Sequence, residues 1–248
     1  RSDSSAASDV YKRQVISIDS PASGSRINLP IVTYATNEEL GEGNITFTRT
    51  GGTQDPDSPH VVNLSGQRLK QGTRYDETFE SDLQLKDGSV YSISFGAQDM
   101  AGNIATDVSI QNITFDSSAP QLSITSPLSP TFTNDLMVEY STNENLSKGV
   151  IFVERTGGPN DSSSPHEVEL VDGQLIKSSK ISLNLSQQLN LVSNAVYRIY
   201  IEGLDVAGNE GKSDMVESIT FDNVPPEISI TSPAVESFIN APVSVSYT

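Results

Sequence analysis

Residues 99–116 read DMAGNIATDVSIQNITFD, and residues 205–222 read DVAGNEGKSDMVESITFD. The same Asp-x-Ala-Gly-Asn turn and the same Ile-Thr-Phe-Asp run are written twice, and a single active site has no need of two. The spacing is rigid. Pro21, Pro127 and Pro233 each close a Ser-Ile-x-Ser-Pro segment and stand 106 residues apart. Thr36-Asn37-Glu38 returns at that offset as Thr142-Asn143-Glu144, Arg49-Thr50-Gly51-Gly52 as Arg155-Thr156-Gly157-Gly158, and Ser58-Pro59-His60 as Ser164-Pro165-His166. No insertion separates the repeats, and roughly a third of aligned positions are identical. A period near a hundred residues exceeds that of a solenoid unit, about 20–50 residues, and matches an autonomous domain. The spacing predicts an array: residues 15–120, residues 121–226, and the truncated start of a third unit at 227–248.

Residues 1–14, RSDSSAASDVYKRQ, have no counterpart at the later junctions. They resemble translated sequencing-adapter read-through and are set aside as a non-native N-terminal scar. The third repeat ends at Thr248, twenty-two residues past Pro226, too few to bury a core, so the chain reads as a fragment.

The chain has no Cys, no Trp, two His and a formal charge of -17. The scar carries three positive residues against two negative, so the remainder stands at -18. Such a surface repels nucleic acid and anionic membrane and attracts cations. The absence of cysteine excludes disulfides, thiol catalysis and cysteine metal sites.

Within each repeat, apolar and polar residues alternate over short runs, the pattern of strands with one wet face. QVISIDS, LPIVTYAT, NITFTRT, HVVNLS, TFESDLQL, VYSISFGAQ and VSIQNITFD give about seven strands in the first repeat, and the second repeats the count, with KISLNLSQQL in fifth place. No helical periodicity competes. The fold class expected is all-β: tandem immunoglobulin-like β-sandwiches of about seven strands each, without the Cys-Trp-Cys core of antibody domains.

The segments DMAGN…ITFDSSAPQLSITSP and DVAGN…ITFDNVPPEISITSP resemble the bacterial Ig-like repeats found in tandem in large surface-exposed and secreted adhesin-type proteins. The TRTGG…SPH segment resembles a subtype common in aquatic bacteria. The resemblance covers residues 15–248. It implies an extracellular or cell-surface setting, neighbouring Ig-like domains of the same chain as partners, a surface glycan or protein as a further partner, and spacer or adhesive roles; several related arrays bind calcium between domains.

Two readings of the Asp-x-Ala-Gly-Asn turn stand open. In the first it is turn chemistry alone: Gly and Asn tolerate positive φ, and the Asp side chain accepts backbone N–H bonds inside the loop. In the second, sandwich topology places the B–C and F–G loops at the end where the chain enters the domain, beside the preceding linker. Asp116, Glu144, Asp205 and Asn209 would then supply hard oxygens to a calcium ion between the repeats. Asp222 would repeat the site with the third unit, and Glu38, Asp99 and Asn103 form the counterpart in the first repeat, without a native linker.

Other residues read more plainly. His60 and His166 occupy one repeat position; with no Cys, no second His and no fixed carboxylate spacing they make neither zinc site nor triad and are expected to open the next strand. The loops TGGTQDPDSP and TGGPNDSSSP lack the following helix and basic residue of a phosphate cradle. Tyr34, Tyr91, Phe115 and their partners Tyr140, Tyr197, Phe221 lie in alternating strands and are expected in the core rather than on a sugar platform. No repeat holds an unmatched cluster of acid, base and nucleophile, so no enzymatic activity is expected.

The expected function is a structural spacer and adhesion array that extends a distal functional domain, stiffened by interdomain calcium. Each sandwich adds on the order of 30–40 Å of reach, at about 3.3 Å per strand residue. The alternative from another class is an accessory or glycan-binding module of a secreted hydrolase, which calls for an exposed aromatic or polar cluster in each repeat.

Overall fold

The computed structural model describes residues 14–232 and 245–247. The expected scar, apart from Gln14, and most of the expected third repeat lie outside the described residues.

The first repeat contains eight strands: β1 (Ile16–Ser20), β2 (Arg26–Ile27), β3 (Ile31–Thr36), β4 (Leu40–Gly52), β5 (His60–Asn63), β6 (Gly72–Thr78), β7 (Ser89–Asp99) and β8 (Val108–Phe115). They form a three-stranded sheet, β1-β3-β6, and a five-stranded sheet, β2-β8-β7-β4-β5. Only β2 runs parallel to its neighbour β8. The second repeat repeats this order with β9 (Leu122–Ser126), β10 (Thr131–Thr133), β11 (Met137–Thr142), β12 (Leu146–Gly157), β13 (His166–Glu169), β14 (Ser178–Asn184), β15 (Ala195–Asp205), β16 (Glu210–Lys212) and β17 (Val216–Phe221). Its sheets are β14-β11-β9 and β10-β17-β15-β12-β13, with β16 also on β15. Strands β18 (Ile230–Ser232) and β19 (Ser246–Tyr247) pair with each other. This two-sheet arrangement is an immunoglobulin-like β-sandwich.

Strict alternation builds these sheets. Along β15 every second residue from Ala195 to Asp205 is buried, and β7 follows the same rule from Ser89 to Ala97. One wet face and one dry face result, and the dry faces of the two sheets close on each other. Two hydrophobic clusters follow, one around Tyr34, Phe47, Tyr91, Ile93 and Phe95, the other around Tyr140, Ile151, Tyr197, Ile199 and Ile201. The periodic aromatics are in the core as expected: Tyr34, Tyr91, Tyr140 and Tyr197 are fully buried, and Phe115 and Phe221 nearly so. Full burial of one such ring contributes about 2 kcal/mol.

One expected strand is displaced. The run TFESDLQL is the expected fifth strand, but β6 ends at Thr78 where that run begins. Residues 79–83 make a helical turn, with the Leu83 N–H on the Phe79 carbonyl at 3.0 Å, and the second repeat does the same from Leu189 to Leu185 at 2.9 Å. Phe79 and Leu83 are both buried, four residues apart on one face of a turn. The strand itself, GTRYDET, has no fully buried residue and so lacks the apolar signal that periodicity reads.

Candidate metal centre

The N-terminal end of each sandwich is assembled from three pieces of backbone. The first is the loop between the third and fourth strands of each repeat, residues 37–39 and 143–145. Thr142 Oγ1 donates to the Glu144 carbonyl at 2.8 Å, closing a tight turn, and Thr36 does the same to Glu38. The Asn143 side-chain oxygen then accepts the N–H of Gln121 at 2.8 Å, as Asn37 accepts that of Val15. The Thr-Asn-Glu motif therefore ties the incoming chain to the loop.

The second piece is the Asp-x-Ala-Gly-Asn turn. Asp205 Oδ1 accepts the N–H groups of Gly208 at 2.6 Å and Asn209 at 2.8 Å, while Oδ2 accepts the Asn209 side-chain amide at 2.8 Å. Asp99 Oδ1 accepts the N–H groups of Ala101 and Asn103, and its Oδ2 accepts the Asn103 side-chain amide. These hydrogen bonds, that of the Asn103 side chain first, hold the Asp99 carboxyl below its ordinary value. Turn chemistry is thus present in both repeats, and Gly102 and Gly208 take the positive φ that the turn requires.

The third piece, the linker, separates the repeats from one another. Asp116 follows β8, and its N–H is fixed on the Ile27 carbonyl at 2.9 Å. The Asn209 side chain reaches across and donates to the Asp116 carbonyl at 2.8 Å. Carboxylate oxygens of Asp116, Glu144 and Asp205 consequently lie within 4.8 Å of one another, the only such trio among the described residues. Asp205 is buried, and the other two are partly so. Burial, then the charges of Asp116 and Asp205, push the Glu144 carboxyl up from its ordinary value, and Arg26 opposes them. Arg26 Nη1 stands 3.3 Å from Asp116 Oδ2. Three carboxylates face one guanidinium, a surplus of two negative charges in a set of hard oxygens. Hard, net-negative oxygens are the ligand chemistry that calcium takes, and these three would supply part of its six to eight ligands.

Of the remaining expected residues, Glu38, Asp99 and Asn103 keep the loop geometry, but position 10, the repeat counterpart of Asp116, is Val. Asp222 takes the linker position after β17: its N–H is on the Thr133 carbonyl at 2.9 Å, and its Oδ1 accepts from Ser193 and from the Val224 N–H.

Each sandwich also holds a buried polar network that the sequence reading missed. His166 opens β13 as expected, but its Nε2 lies 2.8 Å from Asp161 Oδ2, and the Tyr197 hydroxyl donates to the same oxygen at 2.7 Å. In the first repeat His60 and Tyr91 converge on Asp55 at 2.6 and 2.5 Å. A carboxylate only accepts, so the histidine Nε2 carries the proton. Burial raises both aspartates, and the histidine and tyrosine bonds outweigh it, leaving the carboxyls below their ordinary value. Tyr197 is pushed up to about 12 by burial, then by Asp161. A fixed carboxylate spacing does exist, against expectation: an Asp stands five residues before the His in both repeats. These side chains bond one another inside the sandwich.

The outer sheet face of the second repeat carries a stacked pair, Phe152 and Tyr200, with centroids 4.9 Å apart. Lys212 sits 4.0 Å from the Tyr200 ring centre. The equivalent positions in the first repeat are Thr46 and Ser94, so the cluster that a glycan module would need in each repeat occurs in one.

No family model matches the chain. No curated protein matches it either. Among solved structures, it is similar to the fibronectin(III)-like modules of Clostridium thermocellum CbhA, at 14% identity over 84% of this chain and 94% of that one, TM-score 0.40. It is also similar to the FN1-FN3 domains of chicken CNTN1, at 14% identity, 82% and 67% coverage and TM-score 0.41. A run of titin domains aligns at 10% identity, 83% and 67% coverage and TM-score 0.37. Among the described residues, no helix is long and apolar enough to cross a membrane.

Proposed function

We propose that the chain is a spacer and adhesion array of a bacterial surface or secreted protein, made of tandem sandwiches that hold a distal domain away from its anchor. Calcium bound at the junction by Asp116, Glu144 and Asp205 stiffens the joint. Residues 15–120 and 121–226 act as the two complete units, and 227–248 begins a third. The array has no catalytic role of its own; its partners are neighbouring Ig-like domains and an extracellular surface ligand.

The observation that carries this reading is the carboxylate trio. Its members come from the end of one repeat and from two loops of the next, and they meet only because the repeats are joined end to end. Three like charges held within 4.8 Å oppose the closed junction unless a cation balances them. A divalent ion removes that repulsion and bridges both repeats at once. Thermal unfolding with excess calcium and then with chelator tests this. Calcium is expected to raise the melting temperature of the wild type and to leave Asp116→Ala unchanged. Equal melting in calcium and chelator for the wild type would overturn the calcium role.

A further inference from the structure

The junction contains one residue that the repeat does not predict. Arg26 lies in β2, the two-residue edge strand parallel to β8, where its repeat counterpart is the exposed Phe132 of β10. The register of β2 against β8 places Arg26 opposite Thr114, two residues before Asp116. Its guanidinium pairs with Asp116, and together with Asn143, Glu144 and Val206 of the second repeat it lines a cavity at the joint. Arg26 is thus the cation belonging to the first repeat that faces the acidic end of the second.

We propose that Arg26 is a built-in counter-cation of the junction carboxylates, fixing the Asp116 carboxylate in the absence of metal and competing with a divalent ion for it. This rests on the reading of the trio as a calcium site, and its metal-free part stands without it. A guanidinium cannot be deprotonated at any working pH, so its charge is permanent. It offsets one of the three carboxylate charges and leaves the other two attracting a cation. A calcium ion approaching Asp116 meets a fixed positive charge on the oxygen it needs, which weakens its binding. At the repeat counterpart of Arg26 the second repeat carries Phe132, in the strand that holds the backbone of Asp222. Arg26 therefore gives the Asp116 junction partial order in chelator, which calcium raises further.

The test uses the full chain, wild type against Arg26→Gln, with Arg26→Lys as the variant that keeps the charge. In chelator, hydrogen exchange at the Asp116 and Gln121 amides and small-angle scattering report order at the joint. The wild type is expected to protect these amides about tenfold more than Arg26→Gln, with Arg26→Lys between them and far-ultraviolet circular dichroism the same for all three. Equal protection in wild type and Arg26→Gln overturns the counter-cation role. Calorimetric titration with calcium is the second arm. Removing the charge is expected to tighten calcium binding about tenfold, the scale of one unit charge a few ångströms away in a partly screened site. Unchanged affinity in Arg26→Gln overturns the competition. If calcium binds neither protein, the calcium reading falls alone, and the chelator arm still decides the role of Arg26.

Discussion

Asp161→Ala removes the centre of the buried network in the second repeat, and its cost follows from the partners it strands. The Asp161 side chain is 3% exposed and accepts from His166 at 2.8 Å, Tyr197 at 2.7 Å and the Ser163 N–H at 3.0 Å. Hydrogen bonds to a charged acceptor contribute roughly 1.5–3 kcal/mol each, and they are not additive. Tyr197 keeps one partner, since its hydroxyl accepts the Val192 N–H at 2.9 Å, whereas the His166 Nε2 loses the one bond it makes. Deleting one member of a buried charged network costs about 3–5 kcal/mol, and that range is expected here. Urea unfolding followed by circular dichroism and tyrosine emission measures it, with the first repeat as an internal reference. A loss below about 1 kcal/mol would refute the reasoning and show that water takes over the stranded groups. The sign of the pH dependence is also fixed. The folded Asp161 carboxyl lies below its ordinary value of 3.8, so its contribution is complete above that value and fades as pH falls through the lower folded one. Asp161→Ala should therefore flatten the acid limb of the stability profile.

Two further outcomes follow from geometry. Gly158 has φ 72°, and a Cβ there would sit 2.3 Å from the Asn194 carbonyl, so Gly158→Ala should cost more than about 2 kcal/mol in urea unfolding, while Gly173→Ala, with open space around it, stays within about 0.5 kcal/mol. Asp205 is buried at the junction and Asp99 is not, so in calorimetry Asp205→Ala should lower the melting temperature by several degrees more than Asp99→Ala, and equal shifts would contradict the burial argument.

Much of this was legible because the chain states its pattern twice. The offset of 106 residues aligned strands, core tyrosines and turns, and each was correct where period-2 alternation carried the signal, as in β7 and β15. Sandwich topology then brought Asp116, Glu144 and Asp205 to one place although they span ninety residues of chain. What escaped was of two kinds. β6 is an edge strand with no fully buried residue, so the apolar pair Phe79 and Leu83 drew the expected strand downstream into a helical turn. The Asp55–His60–Tyr91 network depends on the pairing of β4 with β7, which carries Tyr91 back to a loop 36 residues earlier. Its local half, Asp five residues before His in both repeats, was visible and went unread. Arg26 escaped for the opposite reason: an unmatched residue has no echo, and only the structure shows which carboxylate it faces.

The measurement that bears most directly on the spacer reading is small-angle scattering of the full chain, first in chelator and then in millimolar calcium. The account predicts a particle whose maximum dimension increases and whose conformational spread narrows on adding calcium, with Asp116→Ala losing both changes. Identical profiles in the two conditions for the wild type would contradict it and leave the Asp-x-Ala-Gly-Asn motif as turn chemistry alone.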